Sequence, residues 1–245
     1  IQTPFKLNVP YFDYKEINDN WWYKLHEDQT DVTWPGSPDY FALSSGTTGK
    51  TSKRIPVTDE MIDAIRQAGI KQVLALSNFD LPADFFETGI LMLGSSTDLI
   101  ENDDHLEGEI SGISASNIPS WFSGYYKPGK EIAQIDDWDE RVAKIAVIDT
   151  YLASEGFIAF QSRPETDAMK LVTGNGIYFE FVPFNPDYIL EDGSLSQEAP
   201  SLTLSEVEKG QNYVLIISTV SGAWRYLIGD TVEFTDVERA EIKIT

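Results

Sequence analysis

The sequence predicts an α/β fold, in which layered sheets and helices are joined by an additional antiparallel or barrel-like portion. Three observations carry this prediction. An apolar run at 40–43 leads through a polar, glycine-containing loop toward a segment of helical periodicity that starts near Asp59. Strand patterns then crowd the second half, as at 177–182, where Ile177, Phe179 and Phe181 alternate with Tyr178 and Glu180. Early strand–helix alternation followed by clustered strands is the pattern of packed α/β layers with an antiparallel addition.

From 1 to 38 the chain is aromatic and irregular, punctuated by Pro4, Pro10, Pro35 and Pro38. Trp21, Trp22, Tyr23 and Trp34 read as anchors that fasten a wrapped segment to a core rather than as a stacking platform. Thr58 is a suitable N-cap, with Asp59 and Glu60 favourable in the first turn. Met61, Ile62, Ile65, Ala68, Gly69, Val73 and Leu76 then recur at helical spacing. Residues 89–94 read as a buried strand, 112–126 show no clean period, and Trp138, Val142, Ile145 and Ala146 suggest another helix. Strands are expected at 156–161, 177–182 and 213–219, with a turn at 192–194 inside a connector from 183 to 200. Residues 224–228 and 231–234 read as a hairpin-like pair around Gly229 and Asp230. No internal repeat is evident.

Composition narrows the function classes. The 245 residues are 42% hydrophobic and 24% charged, ordinary for a globular protein. Eighteen basic against 40 acidic side chains leave a formal charge of −22, which would repel a duplex or an anionic membrane. Nucleic acid and membrane are therefore not expected as partners. The acidic runs at 101–104 and 136–140 read as solvated faces. No cysteine is present, so disulfides and thiolate chemistry are excluded, and His26 and His105 lack metal-ligand spacing. The apolar runs are too short to span a bilayer, and a cytoplasmic location is the expectation.

The segment with chemical content is Ser-Ser-Gly-Thr-Thr-Gly-Lys at 44–50, read as a strand-to-helix loop. Gly46 and Gly49 let backbone amides approach an anion, while Ser44, Ser45, Thr47 and Thr48 add hydroxyl donors. Lys50 and Lys53 bring positive charge, and a following helix N-terminus would favour a triphosphate. A Walker A loop is not formed, because position 44, where its first glycine belongs, is serine. The other reading of this segment is a polar connector without a ligand.

Ser-Ser-Gly-Thr-Thr-Gly followed by lysine resembles the phosphate loop of adenylate-forming enzymes. Thr-Tyr-Leu-Ala-Ser-Glu-Gly at 150–156 looks like their second motif. Residues 175–183, 209–215 and 224–230 resemble motifs of one branch, the auxin-responsive promoter-type acyl acid–amido synthetases. The resemblance runs in order from residue 40 to the end. It implies the large N-terminal domain of a two-domain enzyme that uses ATP and Mg²⁺ to activate a small carboxylic acid as an acyl-adenylate. Amide formation with an amino acid then follows.

By this resemblance Ser44, Ser45, Gly46, Thr47, Thr48 and Gly49 hold phosphates, with Lys53 at the motif's lysine. Glu155 holds Mg²⁺, a hard cation suited to carboxylate and phosphate oxygens. Thr150, Tyr151, Ala153 and Ser154 line the adenine and α-phosphate, Tyr178 packs on the base, and Asp230 accepts from the ribose hydroxyls. Two departures stand out: Lys50 replaces a usually small residue, and the span from Trp138 to Thr150 is short for the family. The resemblance therefore implies a chain incomplete near 147–150, with a small lysine-bearing C-terminal domain expected beyond Thr245. An acyl-CoA synthetase-type ligase and a non-catalytic nucleotide- or acid-binding module are the alternatives. The acid, the amine acceptor and the oligomeric state are not legible.

Overall fold

The fold was obtained as a computed structural model that describes residues 4–27, 29–44, 52–82, 85, 99–102, 104–120 and 148–245. Two short helices, α1 (Pro4–Asn8) and α2 (Tyr14–Asn20), and a 3-10 turn at Trp22–Glu27 open the chain. Asp13 begins α2 with a full capping box, its carboxylate accepting from the Glu16 amide while Glu16 accepts from the Asp13 amide. Trp22 is 0% exposed in the main core, and Trp21 meets Phe12 edge-on at 5.0 Å. Trp34 lies 6.0 Å from Trp224. These three anchor the wrapped segment as expected, whereas Tyr23 points to solvent.

Among the described residues one sheet has four strands, in the order β2 (Lys53–Val57), β1 (Tyr40–Ser44), β4 (His105–Gly108), β3 (Ile100–Asn102). Its β1–β4 pair is parallel and its other pairs are antiparallel. Helix α3 (Asp59–Ala75) buries Met61, Ile62, Ile65 and Ala68, and Thr58 caps it by accepting from the Met61 amide at 3.2 Å. A short helix, α4 (Ile110–Ser116), buries Ile110 and Ile113 in a stretch whose mixed small residues showed no period.

One expectation is corrected here. The loop after β1 does not lead directly into a helix, because it returns as β2, antiparallel to β1. Ser44 lies opposite Lys53, and Tyr40 opposite Val57. Helix α3 therefore starts beside the far end of β1, about 13 Å along the strand from Ser44 and Lys53 at 3.3 Å per residue. At that distance its N-terminal dipole does not reach Ser44 or Lys53, since the effect fades within a turn. Strand β2 escaped notice because Lys-Arg-Ile-Pro-Val reads as a connector. It is an edge strand, the one place where Pro56 costs no ladder hydrogen bond.

The second sheet is antiparallel throughout. Its order is β5 (Thr150–Ala153), β6 (Gly156–Phe160), β7 (Met169–Leu171), β11 (Glu241–Ile244), β10 (Tyr226–Asp236), β9 (Asn212–Thr219), β8 (Ile177–Pro183). Strand β9 is buried along nearly its whole length because both faces are covered. Leu215 and Ile217 face the main core, while Val214 and Ile216 meet Tyr11, Leu195 and Ala199. The expected hairpin around Gly229 and Asp230 is also corrected. Strand β10 is continuous and carries a bulge, since the three residues between Leu227 and Thr231 oppose only one, Leu215, between their partners Ile216 and Val214. Gly229, at φ +101°, supplies the backbone conformation the bulge requires.

Ser45, Gly46, Thr47, Thr48, Gly49 and Lys50 lie outside the described residues, as do the expected strand at 89–94, the acidic run at 136–140 and the helix around Trp138–Ala146. The proposed discontinuity near 147–150 falls on the same boundary. Glu101 and Asp104 are solvent-exposed, as expected for a charged face.

Candidate functional site

Glu155 occupies an unusual place. It is the second residue of a two-residue turn joining β5 to β6, since Ala153 pairs with Gly156. Turn residues normally face water, yet Glu155 is only 5% exposed. The turn is folded inward against β8. A Cβ on Gly156, itself at φ +145°, would come within 3.0 Å of Ile177 Cδ1. Burial pushes the Glu155 carboxyl above the usual range, while the nearby Lys53 ammonium opposes this and Asp230 adds to it.

Three elements bring partners to this carboxylate. Strand β2 presents Lys53, whose Nζ lies 5.6 Å from the centroid of the Tyr14 ring. The Tyr14 hydroxyl in turn accepts from the Arg54 amide at 3.0 Å, tying α2 to β2. Strand β10 presents Tyr226, whose enclosed hydroxyl faces Glu155 outside regular hydrogen-bond geometry, leaving a buried, unsatisfied donor. Burial and the Glu155 charge both raise the pKa of that phenol. Asp230 follows on the same strand, at the bulge. The Tyr151 hydroxyl donates to Asp230 Oδ2 from β5. Burial raises the Tyr151 pKa, and Asp230 raises it further.

The Tyr151–Asp230 contact joins strands four places apart in the sheet. In a flat sheet those strands would be separated by about 19 Å, at about 4.8 Å per neighbour. The sheet is therefore strongly curled, which is the barrel-like portion expected. The curl, the inward turn and the bulge together place Lys53, Tyr151, Glu155, Tyr226 and Asp230 in one half-enclosed cluster.

The other expected site residues fall as follows. Ser44 lies opposite Lys53 at the end of β1, and Ala153 and Ser154 flank Glu155. Thr150 stands at the opposite end of β5, where its hydroxyl accepts from Gln72 at 2.7 Å, and is not part of the cluster. Tyr178 is 41% exposed, edge-on to Phe5 at 6.3 Å. It shares a strand face with Glu180, opposite the face on which Ile177 meets Gly156. Tyr226 was part of a recognised motif, but sequence offered no role for it. Tyr14 gave no signal at all.

The donor set suits a hard cation completed by a ligand. Among the described residues the buried Glu155 carboxylate has no hydrogen-bonded positive partner, and no group of three or more His, Asp or Glu could hold a metal alone. Mg²⁺ is commonly held by one or two carboxylates together with substrate phosphates. The cluster fits that arrangement.

Comparison with known proteins agrees with this architecture. Residues 2–143 match the GH3 family N-terminal domain, and residues 170–243 match the GH3 family central domain. An Arabidopsis thaliana protein named indole-3-acetic acid-amido synthetase GH3.4 is 30% identical over 146 residues, covering 58% of this chain and 21% of that protein. A second Arabidopsis thaliana relative, named indole-3-acetic acid-amido synthetase GH3.10, is 35% identical over 86 residues, 34% of this chain and 14% of that protein. A solved structure described as GH3.15 acyl acid amido synthetase superposes with a TM-score of 0.69 at 13% identity, covering 100% of this chain and 62% of its own. The matched region is thus about a fifth of the first relative's length, and at such low identity the structural likeness speaks for the fold. Two family domains in order cover most of the sequence, and the chain belongs to the GH3 family.

Proposed function

We propose that this chain is the nucleotide- and acid-binding part of an ATP-dependent acyl acid–amido synthetase, a ligase that activates a small carboxylic acid as an acyl-adenylate and passes it to an amino acid. The observation that carries this reading is the convergence of Lys53, Glu155 and Asp230, from distant parts of the sequence, on one half-enclosed cluster. The names of the relatives support the amide-forming class.

Adenylation brings a carboxylate up to the ATP α-phosphate, and two anions approach only where charge is absorbed. Lys53 supplies one fixed positive charge. Glu155 would hold Mg²⁺, which would supply positive charge against the phosphates. Asp230, oriented by the Tyr151 hydroxyl, accepts from the ribose hydroxyls. Tyr226 lines the floor beneath Glu155 and helps exclude water. Ser44 stands at the mouth of the phosphate-binding loop, and Ser45, Gly46, Thr47, Thr48 and Gly49 complete the proposed phosphate cradle. Ala153 and Ser154 border the α-phosphate side, and no role is proposed for Thr150 or Tyr178. No covalent enzyme nucleophile is needed, because ATP provides the activation.

The test is exchange of labelled pyrophosphate into ATP. Exchange that depends on an added carboxylic acid and on Mg²⁺ is expected. Absence of exchange with every acid, in a protein that still binds ATP, would leave a binding module instead. An acceptor screen then distinguishes amino acids, the expected acceptors, from a thiol.

A further inference from the structure

A cavity lies at the opposite end of β6 from the Glu155 turn, about 13 Å away along the strand. Its volume is about 870 Å³, in the range of small-molecule sites. The C-terminal turns of α3, the β6–β7 connection and β11 enclose it. The floor is apolar, formed by Phe160, Leu171 and Val172, and Leu74 projects at its lip with 67% of its surface exposed. An isolated exposed leucine is unremarkable, but one that continues a buried apolar floor extends a binding surface.

Charge around this cavity runs against the rest of the molecule. Lys71, Arg163, Lys170 and Arg239 line it, together with Glu165 and Glu241, in a chain whose formal charge is −22. Buried Glu241 is satisfied by Arg163, which donates Nε and Nη2 to its two oxygens at 2.7 Å each. Arg163 also lies 3.8 Å from the solvent-exposed Glu165, and Arg239 lies 3.7 Å from Asp236. Lys71 and Lys170 have no carboxylate partner among the described residues; Lys71 only donates to the Thr173 carbonyl at 3.4 Å. The carbonyl end of α3 opposes an anion, but the Leu74 carbonyl already accepts from Ser77 Oγ at 2.8 Å. A helix end amounts to about half a charge, so two ammonium groups without a carboxylate partner among the described residues outweigh it.

We propose that this cavity is a binding site, separate from the nucleotide cluster, for a small amphipathic anion. Such a ligand has an apolar body that lies on Phe160 and Leu74 and a carboxylate or phosphate head that meets Lys71 and Lys170. The bidentate Arg163–Glu241 pair holds two of the lining residues in place, so that part of the site is pre-formed. Its volume suits a compact molecule, and its lysines select a charged head over a neutral one.

The absence of cysteine provides a local probe. Ser162 lines the cavity, so Ser162→Cys introduces a single thiol there. Its rate of reaction with the neutral reagent 4,4′-dithiodipyridine is measured with octanoate, octyl phosphate or octanamide present. Saturable slowing by an anion is expected, with octanamide at least tenfold weaker. Lys71→Glu with Lys170→Glu should abolish protection, and Lys71→Gln with Lys170→Gln should weaken it at least threefold. Circular dichroism checks folding in each background. Asp230→Ala should leave protection unchanged, which keeps this site distinct from the proposed nucleotide site. The readout needs no turnover, so the adenylation reading can fail while this one stands. Equal protection by octanamide, protection that survives charge reversal in a folded variant, or no protection by either anion would each overturn the proposal. Octanoate against octyl phosphate shows which head group is preferred.

Discussion

Glu155 and Asp230 share one cluster but act on different parts of a nucleotide, and substitution separates them. A group felt more strongly in the transition state changes kcat, whereas uniform binding changes KM. In an enzyme that adenylates, Glu155→Gln should lower the rate on the order of 10²-fold and shift its Mg²⁺ dependence, the scale of losing one preorganised charge-stabilising group. Asp230→Ala should mainly raise the KM for ATP, by roughly 1.5–3 kcal/mol for a lost charge-assisted hydrogen bond. Steady-state pyrophosphate exchange across ATP and Mg²⁺ concentrations reads both. Folded variants with unchanged kinetics would exclude these residues from the site. His26 offers a residue-scale test of stability instead. Burial, with Arg54 and His105 nearby, depresses its pKa to about 4. The unfolded chain takes up this proton near pH 6.5 and the folded chain only near 4, so folding stability falls as pH drops through that window. Replacement by Phe keeps a ring against Phe41, 4.6 Å between centroids and tilted by 41°, and removes a buried Nδ1 that has no hydrogen-bond partner. The difference in urea midpoint between His26→Phe and the parent should therefore grow as pH falls from 6.5 to 4. A constant difference would rule out this titration.

Single elements place these groups, and their legibility varied for physical reasons. Helix α3 was readable from its cap and period because Thr58 caps it and Met61, Ile62, Ile65 and Ala68 form its buried stripe. Strand β8 was readable because Phe179 and Phe181 alternate with exposed Tyr178, although Glu180 between them is itself buried. The bulge in β10 was not readable. Gly-Asp after an apolar run is equally a turn signal, and only pairing with β9 shows that the strand continues. Likewise, nothing local marks Glu155 as buried, since a Ser-Glu turn is ordinarily wet. Gly229→Ala tests the bulge. An added Cβ meets nothing within 4 Å, so only the backbone at φ +101° is strained. A loss of about 1–3 kcal/mol in stability is expected from the strain alone. Because Asp230 follows directly, ATP affinity should fall further than the stability loss explains at temperatures where the variant is folded. Calorimetric titration beside thermal melting would show it, and unchanged ATP affinity would mean that the bulge does not aim Asp230.

At the scale of the whole molecule, the N-terminal segment is fastened across β8 and β10 by a buried charge network that the sequence did not disclose. Arg225 was visible only as part of a motif beside Asp230. In the fold it adopts φ +44°, and its guanidinium donates Nε and Nη2 to Glu180, each at 3.1 Å. Nη1 reaches the Lys6 and Val9 carbonyls at 3.2 and 2.7 Å, and the guanidinium lies 3.9 Å from the Tyr11 ring centroid. Ser201 and Lys6 complete the shell around Glu180, which is 0% exposed. Such a network cannot be read from sequence, because its parts lie far apart and each alone looks like a surface charge. Its energetics are asymmetric. Removing one partner strands a buried charge and typically costs about 3–5 kcal/mol, whereas replacing a buried ion pair by apolar side chains is often neutral. Arg225→Met should therefore strongly lower the urea midpoint, and Arg225→Met combined with Glu180→Met should recover most of the loss. Lys6, 3.8 Å from Glu180, would keep the recovery incomplete by stranding in its turn. Proteolysis should cut near residue 9 in the single variant before the sheets open, since the strap loses its two carbonyl anchors. If the single and double variants unfold at the same urea concentration, the strap is held by its aromatic contacts rather than by this charge pair.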